Sequence, residues 1–217
     1  MLLSSATPEK LPSIKTLHRL TKSLAMLDAI ICPEWDSRYY SYNSKWGEKE
    51  EMASMRNGCG DDWFLLFDAN GAALKGFAYE YPLARDGSFA ARIQQLVPSD
   101  FTSFLREPAF SMNWATFCLW RRHTDSAWNA VSLPDGSISP ERDGSSNMLY
   151  ILDCEAESYR DWAEAYYERE VSLAAVRAIY EHQPLSNELI ANLNSELSLS
   201  DINKDVVEIG YPAAPAI

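Results

Sequence analysis

Apolar residues recur at three- and four-residue steps through Leu17, Leu20, Leu24, Leu27 and Ile31. That spacing lines one face of a helix. Ser13, just after Pro12, stands where a side-chain oxygen accepts from the first turn, and Pro33 stops the helix. His18, Arg19 and Lys22 fall on or near the outer side, so the helix is expected to lay its apolar stripe on a sheet.

Beyond Pro33 the period changes from helical to strand-like. Trp35 to Trp46 places Tyr40, Tyr42 and Trp46 on one side of a pleat, and a charged turn after Gly47 leads to a short strand from Met52 to Arg56. Asn57-Gly58-Cys59-Gly60-Asp61 reads as a turn, because glycine and asparagine accept positive φ. Trp63 to Phe67 is a continuous apolar run of central-strand type, and Asp68-Ala69-Asn70-Gly71 returns the chain through Ala72 to Tyr81. The result is a predicted four-stranded antiparallel meander.

Further along, Phe89 to Leu96 predicts a short helix, and Pro98-Ser99 opens another bearing Phe101, Phe104 and Leu105, ended by Pro108. Thr116 to Arg121 and Ala127 to Leu133 read as strands, Pro134 to Asn147 as a long exposed loop, and Met148 to Leu152 as one more strand. From Glu155 the pattern is helical. Tyr159, Trp162, Tyr166 and Val171 form a seam behind an N-cap at Asp153; Leu173, Val176, Ile179 and Tyr180 carry the next segment. Ser186 and Ser200 cap two more, and Gly210 and Pro212 close the last. The fold class that follows is α+β: an antiparallel meander packed by an N-terminal helix, with an α-helical C-terminal segment. Residues 1–217 are expected to form one domain, with 155–212 as a helical extension of it.

Length and composition agree with a globule. A chain of 217 residues buries roughly 70% of its unfolded surface, and 47% of these residues are apolar against 23% charged. No stretch of ~18 apolar residues is present to span a membrane, and Met1 to Pro12 lacks the basic start and apolar run of a secretory signal. The four cysteines, Cys32, Cys59, Cys118 and Cys154, are far apart in the chain and form no CxxC pair. Reduced thiols in a cytoplasm are the expectation.

Net charge is −12 and unevenly distributed: residues 1–147 carry −3 and residues 148–217 carry −9. Such a surface repels a phosphate backbone, so nucleic acid is not an expected partner. An acidic face steers a basic protein instead.

Reactive chemistry leaves few marks. His18, His123 and His182 are isolated from one another, and zinc needs three or four converging nitrogen or sulfur ligands, so no metal is expected. The Asp68 turn lacks the spacing of a calcium loop. Neither GxxxxGK[ST] nor GxGxxG occurs, so no nucleotide cofactor is expected, and no GxSxG elbow marks a serine nucleophile. Cys59 lies beside Asp61 and Asp62, which disfavour its thiolate.

Candidate binding residues are Tyr40, Tyr42, Asp61, Asp62, Trp63 and Glu80. The carboxylates would sit at one end of the meander, and the rings with Glu80 would line a cleft beside it.

The segments WDSRYYSYNSKW and EEMASMRNGCGDDWFLLFDANGAALKGFAYE resemble a group of uncharacterised bacterial soluble proteins. In layout the chain is similar to SUKH-type immunity proteins: an N-terminal helix, a meander with a turn like Asp68-Ala69-Asn70-Gly71, and a helix such as Ser99 to Arg106. Leu11-Pro12-Ser13-Ile14 is followed by Lys15 where that family's early motif carries tyrosine. The resemblance implies a cytoplasmic α+β protein that binds and neutralises a toxin. The expected function is therefore a non-catalytic acidic protein-binding module of immunity type, without cofactor. The alternative is a carbohydrate-binding protein or hydrolase using the aromatic and carboxylate cleft.

Overall fold

Turn-forming residues fold the middle of the chain into successive hairpins. In the computed structural model, which describes residues 3–133 and 135–214, Asn57 Oδ1 accepts the Cys59 and Asp61 amides at 2.8 and 3.0 Å. Asp68 Oδ1 likewise accepts those of Asn70 and Gly71 at 2.7 and 2.9 Å. With a further turn at residues 48–49, they join β1 (Tyr40–Gly47), β2 (Glu50–Arg56), β3 (Asp62–Phe67) and β4 (Gly71–Phe77). The meander then continues through β5 (Phe117–Arg122) and β6 (Asn129–Ala130) as one antiparallel sheet in the order β1-β2-β3-β4-β5-β6.

Side chains alternate across the pleat, so the register sorts them into two sets. Ala53, Leu65, Leu74 and Leu119 align across four strands on one face; Met52, Leu66, Ala73 and Trp120 align on the other. The first face joins the larger core, beneath α1 (Ile14–Ile31), α6 (Ala156–Tyr167), α7 (Leu173–Tyr180), α8 (Asn187–Ala191) and α9 (Asn203–Ile209). The second is covered by the chain between β4 and β5, including α2 (Ser88–Leu96) and α3 (Thr102–Arg106), through Phe89, Ile93, Phe101, Phe104 and Phe110.

Helix α1 begins as its sequence predicts, with the Ser13 hydroxyl accepting the Thr16 amide at 3.1 Å. Its surroundings differ from the expectation of one apolar stripe on a sheet. Every residue from Ser23 to Ile31 is buried, because the sheet takes one side and the C-terminal helices the other. Ser23, a small residue, allows the approach of α7, and its hydroxyl donates to the Ile179 carbonyl at 2.9 Å.

Asp28 lies at the centre of this arrangement and is fully buried. Its Oδ2 accepts the Tyr39 and Tyr40 amides at 2.9 and 2.7 Å and the Tyr167 hydroxyl at 2.9 Å. Oδ1 accepts the Tyr159 hydroxyl at 2.7 Å. One carboxyl thus ties α1 to the start of β1 and to α6. Burial pushes its pKa up to about 6 against the opposing pull of these four donors.

Several segments depart from the sequence reading. Trp35–Ser37 is a 3-10 turn, and the first strand starts only at Tyr40. The fourth ends at Phe77 rather than reaching Tyr81, and the strand expected over Ala127 to Leu133 keeps two residues. Met148 to Leu152 is helical, spanning the end of α5 (Ser145–Leu149) and a 3-10 turn at Tyr150–Asp153. A short apolar run has no period to tell a buried helix from a strand.

The segment expected as an exposed loop from Pro134 to Asn147 is only partly one; Pro134 itself lies outside the described residues. It contains α4 (Pro140–Asp143), and Asp143, Gly144 and Ser145 are buried. Asp143 accepts the Ser5 hydroxyl and the Ser145 amide, and its carbonyl accepts the Thr116 hydroxyl at 2.8 Å. Ser200 does not cap α9, whose N-terminus follows Ile202 with no side-chain cap.

Gly144 has φ +75, and a Cβ there would overlap Ala78 and Tyr81, whereas Gly136 at φ +81 faces open space. Gly144→Ala should destabilise by about 2–4 kcal/mol through backbone strain plus overpacking, and Gly136→Ala by about 1 kcal/mol through strain alone. Urea melts that give equal losses would contradict this packing. Asp28→Ala, which strands four donors, should cost about 4 kcal/mol or more. Because the folded pKa of Asp28 exceeds its unfolded value, the folded state holds the proton more tightly. This group's contribution is therefore greatest at low pH and falls by about 3 kcal/mol as pH rises from about 4 to about 6. Carboxyl-carbon NMR should show Asp28 titrating near pH 6; a midpoint near 4 would contradict the burial argument.

Candidate functional site

Three of the residues nominated from sequence point inward. Tyr40, Tyr42 and Trp63 share the larger core with Leu65 and Phe67. Tyr40 packs on Trp162, Tyr159 and Trp63 at ring separations of 5.0, 6.4 and 6.2 Å. The hollow that reaches Tyr40 and Tyr42 encloses about 10 Å³, the room of a single water. These rings offer no face to a sugar.

The other three nominated residues gather at one end of the sheet. Asp62 opens β3, and Asp61 Oδ1 accepts the Tyr79 amide at 2.8 Å, which places exposed Glu80 close by. Asp62 forms an ion pair with Lys75, whose ammonium is fully buried and lies 5.2 Å from the Phe64 ring and 5.9 Å from the Phe77 ring. Burial lowers the pKa of Lys75 and raises that of Asp62, each opposed by the partner's charge.

Exposed aromatic rings collect at the same end. Tyr79 and Trp114 are 63% and 61% exposed, and both rest edge-on against Phe77, the last residue of β4, at 6.5 and 6.3 Å. Trp35, 49% exposed, lies under the guanidinium of Arg56, the last residue of β2, at 4.7 Å. Tyr166, also exposed, packs at 5.1 Å on Tyr39, the neighbour of the first residue of β1. All four exposed aromatic side chains among the described residues therefore surround one rim, together with Asp61, Asp62 and Glu80. None of the four was nominated from sequence for this surface. The exposure of Tyr79 and Trp114 follows from where β4 stops and from the 3-10 turn Met112–Trp114, neither of which the residue pattern announces.

The opposite end of the strands carries a groove of about 350 Å³ between α1, the β1–β2 turn and the β3–β4 turn. At its side Glu51 Oε1 lies 3.0 Å from His18 Nε2, while Oε2 is 2.8 Å from Lys22 Nζ and accepts the Tyr42 hydroxyl at 2.9 Å. Burial pushes the Glu51 carboxyl up, but the bonds from Lys22 and His18 outweigh it and hold the pKa below the usual range. His18 and Glu51 make an acid–base pair in form. The groove lining holds no serine, threonine or cysteine for that pair to activate.

A larger groove, about 730 Å³, runs between α1, α6 and α7. Two of its arginines are already used within the fold: Arg177 pairs with Glu157, and Arg19 donates to the Glu181 carbonyl at 3.1 Å. Cys154 at its edge is held as a thiol by burial and by the charges of Asp153 and Glu155. Among the described residues no group of three or more His, Cys, Asp or Glu side chains is placed to hold a metal ion, and no helix is long and apolar enough to cross a membrane.

Comparison with known protein families, with curated proteins and with solved structures yields no match in any of the three.

The Lys75–Asp62 pair is expected to respond asymmetrically. Lys75→Met keeps the buried stem and leaves Asp62, 25% exposed, to regain water, so the loss should stay within about 1.5 kcal/mol. Asp62→Ala strands a buried ammonium and should cost about 3 kcal/mol or more. Equal losses in denaturant melts would show that the ammonium is not desolvated.

Proposed function

We propose that this chain is a non-catalytic protein-binding module of immunity type, which captures and neutralises a partner through a basic segment. The observation that carries the reading is the rim at one end of the sheet, where Tyr79 and Trp114 stand more than half exposed beside Asp61, Asp62 and Glu80. Large apolar rings are normally withdrawn from water, and clustered exposed ones mark interaction surfaces. Tryptophan and tyrosine are also the side chains most often found to dominate binding energy in interfaces, where they pair with arginine.

The chemistry of the rim favours a cation. Arginine stacks on tryptophan or tyrosine faces through the ring quadrupole, gaining ~0.5–2 kcal/mol, and its guanidinium hydrogen-bonds carboxylates two at a time. The molecule already shows this contact internally, with Arg56 over Trp35. A net charge of −12 adds long-range attraction for a basic partner, accelerating encounter. The rings first nominated for the carbohydrate-binding or hydrolase alternative, Tyr40, Tyr42 and Trp63, are buried.

Capture from native cells, run in parallel with wild type and with the Tyr79→Ala/Trp114→Ala double variant as bait, tests the reading. A protein retained by wild type alone, released as salt rises and competed by arginine-rich peptides, is the expected result. Loss of affinity in the double variant should reach about a hundredfold, or roughly 3 kcal/mol. Equal retention by both baits, or competition by peptides without arginine or lysine, would refute it.

A further inference from the structure

The groove opposite the aromatic rim brings two unpaired lysines together in an acidic protein. Lys15 from the first turn of α1, His18 one turn later, Lys49 from the β1–β2 turn and His123 after β5 all line it. Its two carboxylates are already engaged: Glu51 by Lys22, His18 and Tyr42, and Asp68 by the amides of Asn70 and Gly71. Among the described residues the side chains of Lys15, Lys49 and His123 form no ion pair. Lys49 is moreover held at φ +60, a conformation that costs a non-glycine residue energy and recurs at ligand sites. Ile14 and Phe67 supply an apolar wall.

We propose that this groove is a binding site for a small organic phosphate, a monoester with a compact apolar body. The phosphate is held by Lys15, Lys49 and His123, and the apolar part rests on Ile14 and Phe67. Lysine and imidazole act as separate point donors, which a tetrahedral dianion can accept from several sides at once. A volume of about 350 Å³ lies at the small end of ligand pockets, matching a ligand of one ring or a short chain. The site shares no residue with the rim, and β3, six residues long, separates the two by roughly 17 Å.

Amide NMR titration at low ionic strength tests the assignment with phenyl phosphate, inorganic phosphate and phenol. Phenyl phosphate should saturate and shift resonances of Lys15, Lys49, Gly71 and His123. Inorganic phosphate should shift the same resonances with about tenfold weaker affinity, equivalent to ~1.4 kcal/mol, and phenol should not bind. The Lys15→Gln/Lys49→Gln double variant, both positions exposed and neutral to folding, should lose phenyl phosphate affinity about tenfold or more, while Lys45→Gln on β1 retains it. Absence of saturation, shifts scattered over surface lysines, inorganic phosphate binding as tightly as phenyl phosphate, or an unchanged double variant would each overturn the proposal.

Discussion

A single buried carboxyl organises the larger half of this molecule. Placing Asp28 in the interior removes it from water, which is tolerable only because four donors converge on its two oxygens. Two of those donors are backbone amides at the start of β1 and two are tyrosine hydroxyls from α6. The position of the sheet edge, the path of α1 and the rotation of α6 about its axis are therefore mutually constrained. An aliphatic residue at this position would leave the same helices free to pack in other rotations, since apolar contacts alone are not directional.

Built on that constraint, the sheet acts as a partition in two senses. Across its thickness it separates two cores, one roofed by α1 and the C-terminal helices and the other by the chain between β4 and β5. Along its strands it separates two unlike ends. The Asp61, Asp62 and Glu80 end is acidic and rimmed by exposed rings; the other end is concave and carries Lys15 and Lys49, unpaired among the described residues. Gly76 shows how closely this partition is packed. Its row on the larger core runs Trp63, Gly76, Phe117, and any Cβ there would overlap the Phe117 ring. The Phe117 ring lies over the strand at this point because Gly76 has no side chain.

What the residue pattern disclosed was whatever is governed locally. Ser13 and Pro33 frame α1, the Asn57 and Asp68 turns set two hairpins, and Ser186 caps a helix through a bond to the residue three positions on. What it concealed depends on remote partners. Asp143 looks like part of a polar loop until Ser5, 138 residues earlier in the chain, donates to it. His18 stands alone in the sequence because Glu51, its partner, is 33 residues away in a strand. The inward fate of Tyr40, Tyr42 and Trp63 was partly available: Trp63 has the same pleat parity as Leu65 and Phe67, the apolar residues of its strand, so the face it takes is the buried one. The acidic trio was legible as neighbours by virtue of the turn at 57–61, whereas the rings around it were not.

The sandwiched position of α1 also has a bearing on biosynthesis. This helix leaves the ribosome ahead of the sheet, yet the tyrosine hydroxyls that bind Asp28 belong to α6 and the carbonyl that takes the Ser23 hydroxyl to α7, more than a hundred residues later. Hairpins of the meander form from near neighbours as they emerge, and α1 then has the sheet on one side with nothing on the other. A nascent chain of this protein must carry an uncovered apolar helix surface until the last helices arrive. In that interval the polypeptide is a client for holding chaperones.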